Sequence, residues 1–357
     1  MDIEKLAAKH VQKLVPYQSA RRIGGHGHTF LNANESPKSE LYFFNSTTLN
    51  RYPDCQPQEV VTAYADYTDL RPENVLVTRG SDEGIGLIIR TFCEKDQDGI
   101  VIAPPTYGMY EIAAQTNDAK VAYAVRNDDF TLDAKAVLDA VEKAPFKVKA
   151  VFIDSPANPL GIIFSKDELL KLLEALPETF IVMDEAYIEF SAKNTVVDLI
   201  KDHPNLIVLR TLSKAFALAG IRCGFTLANK EVIALLTKVI DPYPIPDPVA
   251  QVAKQALASG GKDLMRIRVS LALKRRAILE SALLSLPIVS KVFPSEANFL
   301  LVKFKNGPEI FNAVAQKGII LRSFETKPGL KDCVRISIGS DEELDELMRV
   351  LSVLAAV

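Results

Sequence analysis

NLIVLRTLSKAFALAGIRCG, residues Asn205 to Gly224, opens as one kind of element and closes as another. Leu206 to Leu209 form an unbroken aliphatic run, the pattern of a strand covered on both faces of a sheet. Two hydroxyls follow, Thr211 and Ser213, then Lys214, a run of small and apolar residues, and Arg222. A lysine set among apolar and small neighbours loses hydration unless it is paired or neutral. A neutral lysine amine is the nucleophile of Schiff-base chemistry.

The same texture recurs upstream. NVLVTRG (Asn74–Gly80) reads as a strand ending at Gly80, and SDEGIGLIIRTFC (Ser81–Cys93) as a helix with Ser81 or Asp82 in its first turn. GIVIAPP (Gly99–Pro105), VKAVFIDSP (Val148–Pro156) and TFIVMDEAY (Thr179–Tyr187) are further short Val/Ile-rich runs separated by helical stretches. This alternation predicts an α/β domain with a parallel sheet between helices. After DPYPIPDP (Asp241–Pro248), with four prolines in eight residues, the pattern changes. A long helical region to Leu286 precedes three strand candidates, ANFLLVKF (Ala297–Phe304), GIILRSF (Gly318–Phe324) and CVRISIG (Cys333–Gly339), and a helix from Asp341. A second, α+β domain is expected there. The divisions are an arm over residues 1–45, a large domain over 46–244 and a small domain over 245–357.

Composition narrows the function. A net charge of −3 argues against nucleic-acid binding, and no apolar run approaches the ~20 residues that span a bilayer. The first residues carry charges throughout and lack the apolar core of a signal peptide, so a cytoplasmic protein is expected. The four cysteines, Cys55, Cys93, Cys223 and Cys333, lie too far apart in sequence to make a metal-ligand pair; buried free thiols and no metal are expected.

Ligands of parallel sheets gather beyond the carboxyl ends of strands. The residues there are Ser81 and Asp82, Tyr107, Asn158, Asp184 with Tyr187, and Lys214. Singly, most have an ordinary explanation. Asp184 suits a helix cap, the tyrosines a core edge, Asn158 before Pro159 a turn, and Gly80-Ser81 a turn and cap. Lys214 resists that treatment. No Gly-x-Gly-x-x-Gly turn follows any strand, since GSDEGIG (Gly80–Gly86) has the wrong spacing for a dinucleotide site.

Thr211, Ser213, Lys214, Gly220, Arg222 and Gly224 fall at the spacing of the class-II aminotransferases, and MDEAY (Met183–Tyr187) and SPANP (Ser155–Pro159) are similar to the same family. Within it, LVPYQSARR (Leu14–Arg22), LNANESP (Leu31–Pro37), LNRYPDCQP (Leu49–Pro57), PPTYGMY (Pro104–Tyr110), DEAYIEF (Asp184–Phe190) and GIILR (Gly318–Arg322) resemble the histidinol-phosphate aminotransferases. The resemblance implies the fold type I of pyridoxal-phosphate enzymes. That fold has a large domain with a mostly parallel seven-stranded sheet sandwiched by helices, and a smaller α+β C-terminal domain.

The resemblance also implies roles. Lys214 binds the cofactor aldehyde and later moves a proton. Asp184 faces the pyridine nitrogen. Tyr187 and Asn158 bond the ring oxygen, and Tyr107 stacks on the ring. Ser81, Asp82, Thr211, Ser213 and Arg222 hold the cofactor phosphate, with Tyr52 reaching it from the second subunit of a homodimer. Tyr17, Arg322 and Arg335 bind the phosphate of histidinol phosphate, and one arginine can fork onto the carboxylate of glutamate or 2-oxoglutarate. The family pattern Asn-Pro-Thr-Gly departs here to Asn158-Pro159-Leu160-Gly161, which removes a hydroxyl. An aromatic aminotransferase or a phosphothreonine decarboxylase would share the cofactor residues. A cofactor-binding transcription regulator would need a basic DNA-binding module, and no segment ahead of the sheet domain reads as one.

Overall fold

The computed structural model describes residues 3–16 and 26–356. A two-residue strand, β1 (Thr29–Phe30), precedes a seven-stranded sheet. That sheet comprises β2 (Val75–Thr78), β3 (Asp98–Ile102), β4 (Lys120–Tyr123), β5 (Lys147–Asp154), β6 (Phe180–Asp184), β7 (Leu206–Thr211) and β8 (Gly224–Ala228). Their order is β2-β8-β7-β6-β5-β3-β4. β8 alone runs opposite to the other six strands. The central strands β5, β6 and β7 are almost wholly buried, as their unbroken apolar runs require.

Helices cover both faces. Gln58–Thr68, Ala134–Lys143 and Lys166–Ala175 pack on one side with residues such as Tyr64, Val137 and Leu172. Gly80–Phe92, Met109–Thr116 and Lys230–Thr237 pack on the other with Ile88, Tyr110 and Leu236. The amphipathic pattern of each helix places its apolar stripe on the sheet.

Beyond Asp241 the expected long helix is two, Asp247–Leu257 and Ser259–Leu284, broken at Ala258, whose extended backbone (ψ 163°) interrupts the turn. A four-stranded sheet follows, in the order β12-β13-β10-β9, from β9 (Val289–Val292), β10 (Phe299–Phe304), β12 (Arg322–Ser323) and β13 (Cys333–Ser337). GIILRSF is not one strand. Ile319–Ile320, β11, leaves this sheet to pair in parallel with β1, and only Arg322–Ser323 returns to β13. The last helix, Asp341–Ala355, starts on a capping box between Ser340 and Glu343.

Besides the two-residue β1, three strands carried no clear sequence signal. β4 and β9 are short and largely exposed or half-buried, and β8 lies directly behind the lysine segment. NVLVTRG also ends earlier than expected, because β2 stops at Thr78 and Gly80 already belongs to the helix. Of the cysteines, Cys223 and Cys333 are buried, whereas Cys55 and Cys93 are only half-buried. Among the described residues no helix is long and apolar enough to cross a membrane.

Candidate active site

The strands β2, β3, β5, β6 and β7 end on one edge of the large sheet, and β8 begins there, with Gly224 opposite both Thr78 and Thr211. A cavity at that edge is lined by Ser81, Asp82, Tyr107, Asn158, Asp184, Tyr187, Thr211, Ser213, Lys214 and Arg222. Ten of the expected site residues thus share one space, which also admits Ala33, Glu35 and Asp154.

One end of the cavity gathers a helix start, two hydroxyls and an arginine. The helix Gly80–Phe92 points its first turn, with Ser81 and Asp82, at the space. Gly80 makes the turn with φ +76°, and a Cβ there would stand 2.7 Å from Arg222 Nη2. Gly224 is packed as closely: a Cβ on it would lie 2.6 Å from the Ser81 nitrogen. Arg222, itself in the left-handed region at φ 53°, donates Nη1 to Ser213 Oγ at 3.4 Å and Nη2 to Asp82 Oδ2 at 3.0 Å. The Tyr107 hydroxyl donates to Asp82 Oδ1 at 2.9 Å. Thr211 and Ser213 hydroxyls are 2.8 Å apart. Asp82 therefore contributes its carboxylate to the arginine as well as its place in the helix turn.

At the other end stands Lys214. Its Nζ donates to the Ala33 carbonyl at 2.8 Å and lies 5.6 Å from the Tyr187 ring centroid. Withdrawal from water, and then the Arg335 charge, push its amine down to about 8. Asp184 lies in the floor. It accepts from the Tyr110 hydroxyl at 2.8 Å and from the Ala186 N–H at 3.1 Å. Burial pushes its carboxyl up to about 7, against the Tyr110 hydrogen bond, and the neighbouring Asp154 adds to the rise. Among the described residues its hydrogen-bond donors are uncharged, a hydroxyl and a backbone N–H.

Asp154 is raised by burial too, although Arg126 at 3.7 Å, the Asn158 N–H at 2.7 Å and the Thr106 hydroxyl at 2.7 Å favour its charge. Tyr187 is buried edge-on to Phe299, and its hydroxyl accepts from Asn34 Nδ2 at 3.0 Å. Burial lifts that phenol to about 12.

Arg335 reaches the cavity wall from β13. It donates to Asn158 Oδ1 and, at 2.6 Å, to the Asn32 carbonyl, with its guanidinium over Phe299 and Phe324. Arg322 is its direct partner across β12 and β13, so both side chains leave the same face of the small sheet. Leu160, where the family pattern has threonine, is buried with Ala157, Leu301, Leu330 and Cys333. It fastens the Asn158 loop to the small sheet through apolar contact instead of a hydroxyl.

Of the other four expected residues, three, Arg322, Arg335 and Tyr52, are not among those that line the cavity. Tyr52 is 81% exposed and stacks on Tyr243 at 4.5 Å. Tyr17 lies outside the described residues, as do Gly24 and Gly25. Three functional neighbours were overlooked in the sequence. Tyr110 lies in the quoted PPTYGMY, Asp154 at the end of VFID and Asn34 inside LNANESP. Only the strand-end position of Asp154 offered a signal.

The family model for aminotransferase class I and II matches residues 27–351. The chain is 52% identical to a histidinol-phosphate aminotransferase of Aeromonas salmonicida, covering 98% of each protein. It is 48% identical to histidinol-phosphate aminotransferase 1 of Pasteurella multocida, over 99% of this chain and all of that one. The fold is shared with the crystal structure of histidinol-phosphate aminotransferase from Sinorhizobium meliloti in complex with pyridoxal-5'-phosphate (TM-score 0.84, 22% identity, 98% of this chain and 97% of that one). A matching model over most of its length and relatives at half identity lead to one conclusion: this chain belongs to the class I and II aminotransferase family.

Proposed function

We propose that the protein is a cytoplasmic homodimeric aminotransferase that moves an amino group reversibly between L-histidinol phosphate and 2-oxoglutarate, using pyridoxal 5'-phosphate. Its activity is that of the relatives named above, at about half identity over nearly the whole chain. The observation that carries the cofactor is the placement of Lys214 and Asp184 in one cavity, with the lysine pushed down to about 8 and the carboxylate pushed up by burial. The donor set fits the group. A ring nitrogen that gains a proton supplies a charged partner for Asp184, and the Gly80 turn leaves room for a phosphate between Ser81, Ser213 and Arg222.

When bound, the cofactor supplies an aldehyde that combines with amines and a ring that draws electrons from the adjacent carbon. The chain's groups do the rest. Lys214, whose amine loses its proton far more readily than that of an ordinary lysine, would be the amine that anchors the cofactor. When released, its Nζ would take the proton from the amine-bearing carbon of the substrate and hand it to the carbon of the former aldehyde, across the nitrogen they share. Asp184 holds positive charge at the ring nitrogen. Tyr187 and Asn158 address the ring oxygen, and Tyr107 covers a ring face. Thr211 buttresses Ser213.

Arg322 and Arg335, with Tyr17, receive the substrate phosphate, and Arg335 alone suffices for the carboxylate of glutamate. Tyr52, exposed beside Tyr243, serves the phosphate end of the second subunit's cavity. Residues 1–45, 46–244 and 245–357 act as arm, large domain and small domain.

The test is an absorbance spectrum of the purified protein with cofactor. Histidinol phosphate is expected to bleach the visible band and 2-oxoglutarate to restore it. Bleaching by phenylalanine but not by histidinol phosphate would reassign the substrate, and an unchanged Lys214→Ala enzyme would remove the cofactor reading.

A further inference from the structure

Three consecutive residues each hold a different polar group in or beside the cavity. The Asn32 carbonyl accepts from Arg335 Nη2 at 2.6 Å, the Ala33 carbonyl accepts from Lys214 Nζ at 2.8 Å, and Asn34 Nδ2 donates to the Tyr187 hydroxyl at 3.0 Å. The segment is itself pinned. Asn34 is fully buried with φ +55°, a conformation that costs a non-glycine residue energy. Its N–H donates to Ser337 Oγ at 2.8 Å, and its carbonyl accepts from Asn298 Nδ2 at 3.0 Å. These bonds to β13 and to the start of β10 offset the backbone cost.

The same network sets the direction of the Asn34 amide. Ser337 Oγ has one proton and gives it to Asn34 Oδ1 at 3.0 Å. The amide nitrogen therefore faces Tyr187, and the tyrosine oxygen is an acceptor on that side. The phenol proton then points away from Asn34.

We propose that residues 32–34 are a positioning strap, in which Asn34 orients the Tyr187 hydroxyl so that its proton is delivered to an acceptor in the cavity, the ring oxygen of the cofactor. This deepens the reading above and rests on it. Asn34 touches no reacting atom; it acts through Tyr187. An acceptor in its place would draw the phenol proton toward itself. A hydrogen bond from Tyr187 stabilises the ring oxygen as an anion, which favours the unprotonated nitrogen between Lys214 and the cofactor.

The experiment is a pH titration of the visible absorbance band of the lysine-bound cofactor in the parent, Asn34→Gly, Tyr187→Phe and the double variant. Glycine keeps the positive φ without the amide. Asn34→Gly and Tyr187→Phe are each expected to raise the titration midpoint, by about half a unit to one unit. The double variant is expected to match Tyr187→Phe alone, because a residue that acts through another adds nothing once the other is gone. An unmoved midpoint in folded Asn34→Gly overturns the strap, and so does a further full shift in the double variant. Asn34→Asp, of the same shape but accepting only, carries the same comparison if the glycine variant does not fold.

A parent protein that forms no such band overturns the cofactor reading instead. The strap is then decided in cofactor-free protein by the Cζ resonance of Tyr187, identified by its loss in Tyr187→Phe. That resonance is expected to move in Asn34→Gly, and an unmoved one overturns the proposal.

Discussion

The Tyr110 hydroxyl donates to Asp184 Oδ2 at 2.8 Å, and both groups are fully enclosed between the large sheet and the helix Met109–Thr116. This bond is the main influence that opposes the burial of Asp184. Tyr110→Phe keeps the ring and its packing on Phe152 and removes only the donor. The carboxyl of Asp184 is then expected to titrate higher still, and the protein to lose about 1 kcal/mol of stability. Titration with pyridoxal phosphate at pH 6 and pH 8 checks this: the variant should bind more weakly, and its deficit should grow at pH 6.

Asp184 also predicts how the cofactor-free protein responds to pH. Its folded carboxyl stands at about 7, above the ordinary 3.8. The folded state thus holds a proton that the unfolded state has already released. That contribution to stability is complete below about 4 and disappears as pH rises through 7. Glu189, buried and lifted from 4.5 to about 7, acts in the same direction. Melting temperatures of parent and Asp184→Asn between pH 4 and pH 8 give the measurement. The parent's advantage over the variant should shrink as pH rises.

Lys214 moves the opposite way, from 10.5 down to about 8. In cofactor-free protein its reaction with an amine-directed reagent should show a midpoint near 8, followed by mass spectrometry of the peptide that contains it. Arg335 is the second cause of the depression, after loss of hydration. Arg335→Met should therefore move the midpoint toward its ordinary value without any change at Lys214 itself.

Gly224 opens β8 against the backbone of Gly80 and Ser81, with 2.5 Å between its would-be Cβ and the Gly80 carbonyl carbon. Backbone cannot swing aside as a side chain does. Gly224→Ala is expected to cost about 1–3 kcal/mol and to displace the first turn of the helix Gly80–Phe92. Phosphate competition for cofactor binding should weaken in parallel with the loss of stability.

Tyr52, stacked with Tyr243 and exposed, has neighbours in sequence that are exposed and apolar as well, Leu41, Phe43 and Leu49. If the tyrosine serves the other subunit, Tyr52→Ala and Lys214→Ala are defects in different halves of one site. Mixing the two inactive or impaired proteins, with unfolding and refolding to exchange subunits, should return activity above either alone. No recovery would remove the shared site.

Much of this arrangement was legible in the order of residues. The strands β5, β6 and β7 announced themselves because a strand buried on both faces must be apolar along its length, and Lys214 stood out just beyond one of those runs, whereas Asp184 alone read equally well as a helix cap. Lys214 was distinctive because a cation among apolar neighbours needs a chemical reason. The phosphate-holding role of Ser81, Ser213 and Arg222 came from the family resemblance of their spacing, while residue types alone left Gly80-Ser81 an ordinary turn and cap.

What only the tertiary structure decided has a common cause. β8 runs antiparallel to both of its partners, β2 and β7, a fact of sheet order and not of composition. Asn32 and Ala33 act through backbone carbonyls, which every residue possesses, so no residue type marks them. Asn34 meets Tyr187 and Ser337 across long stretches of chain, and its amide is oriented by a hydroxyl that only folding brings near. Residue types declare what a side chain can do; distance along the chain hides which groups it will meet.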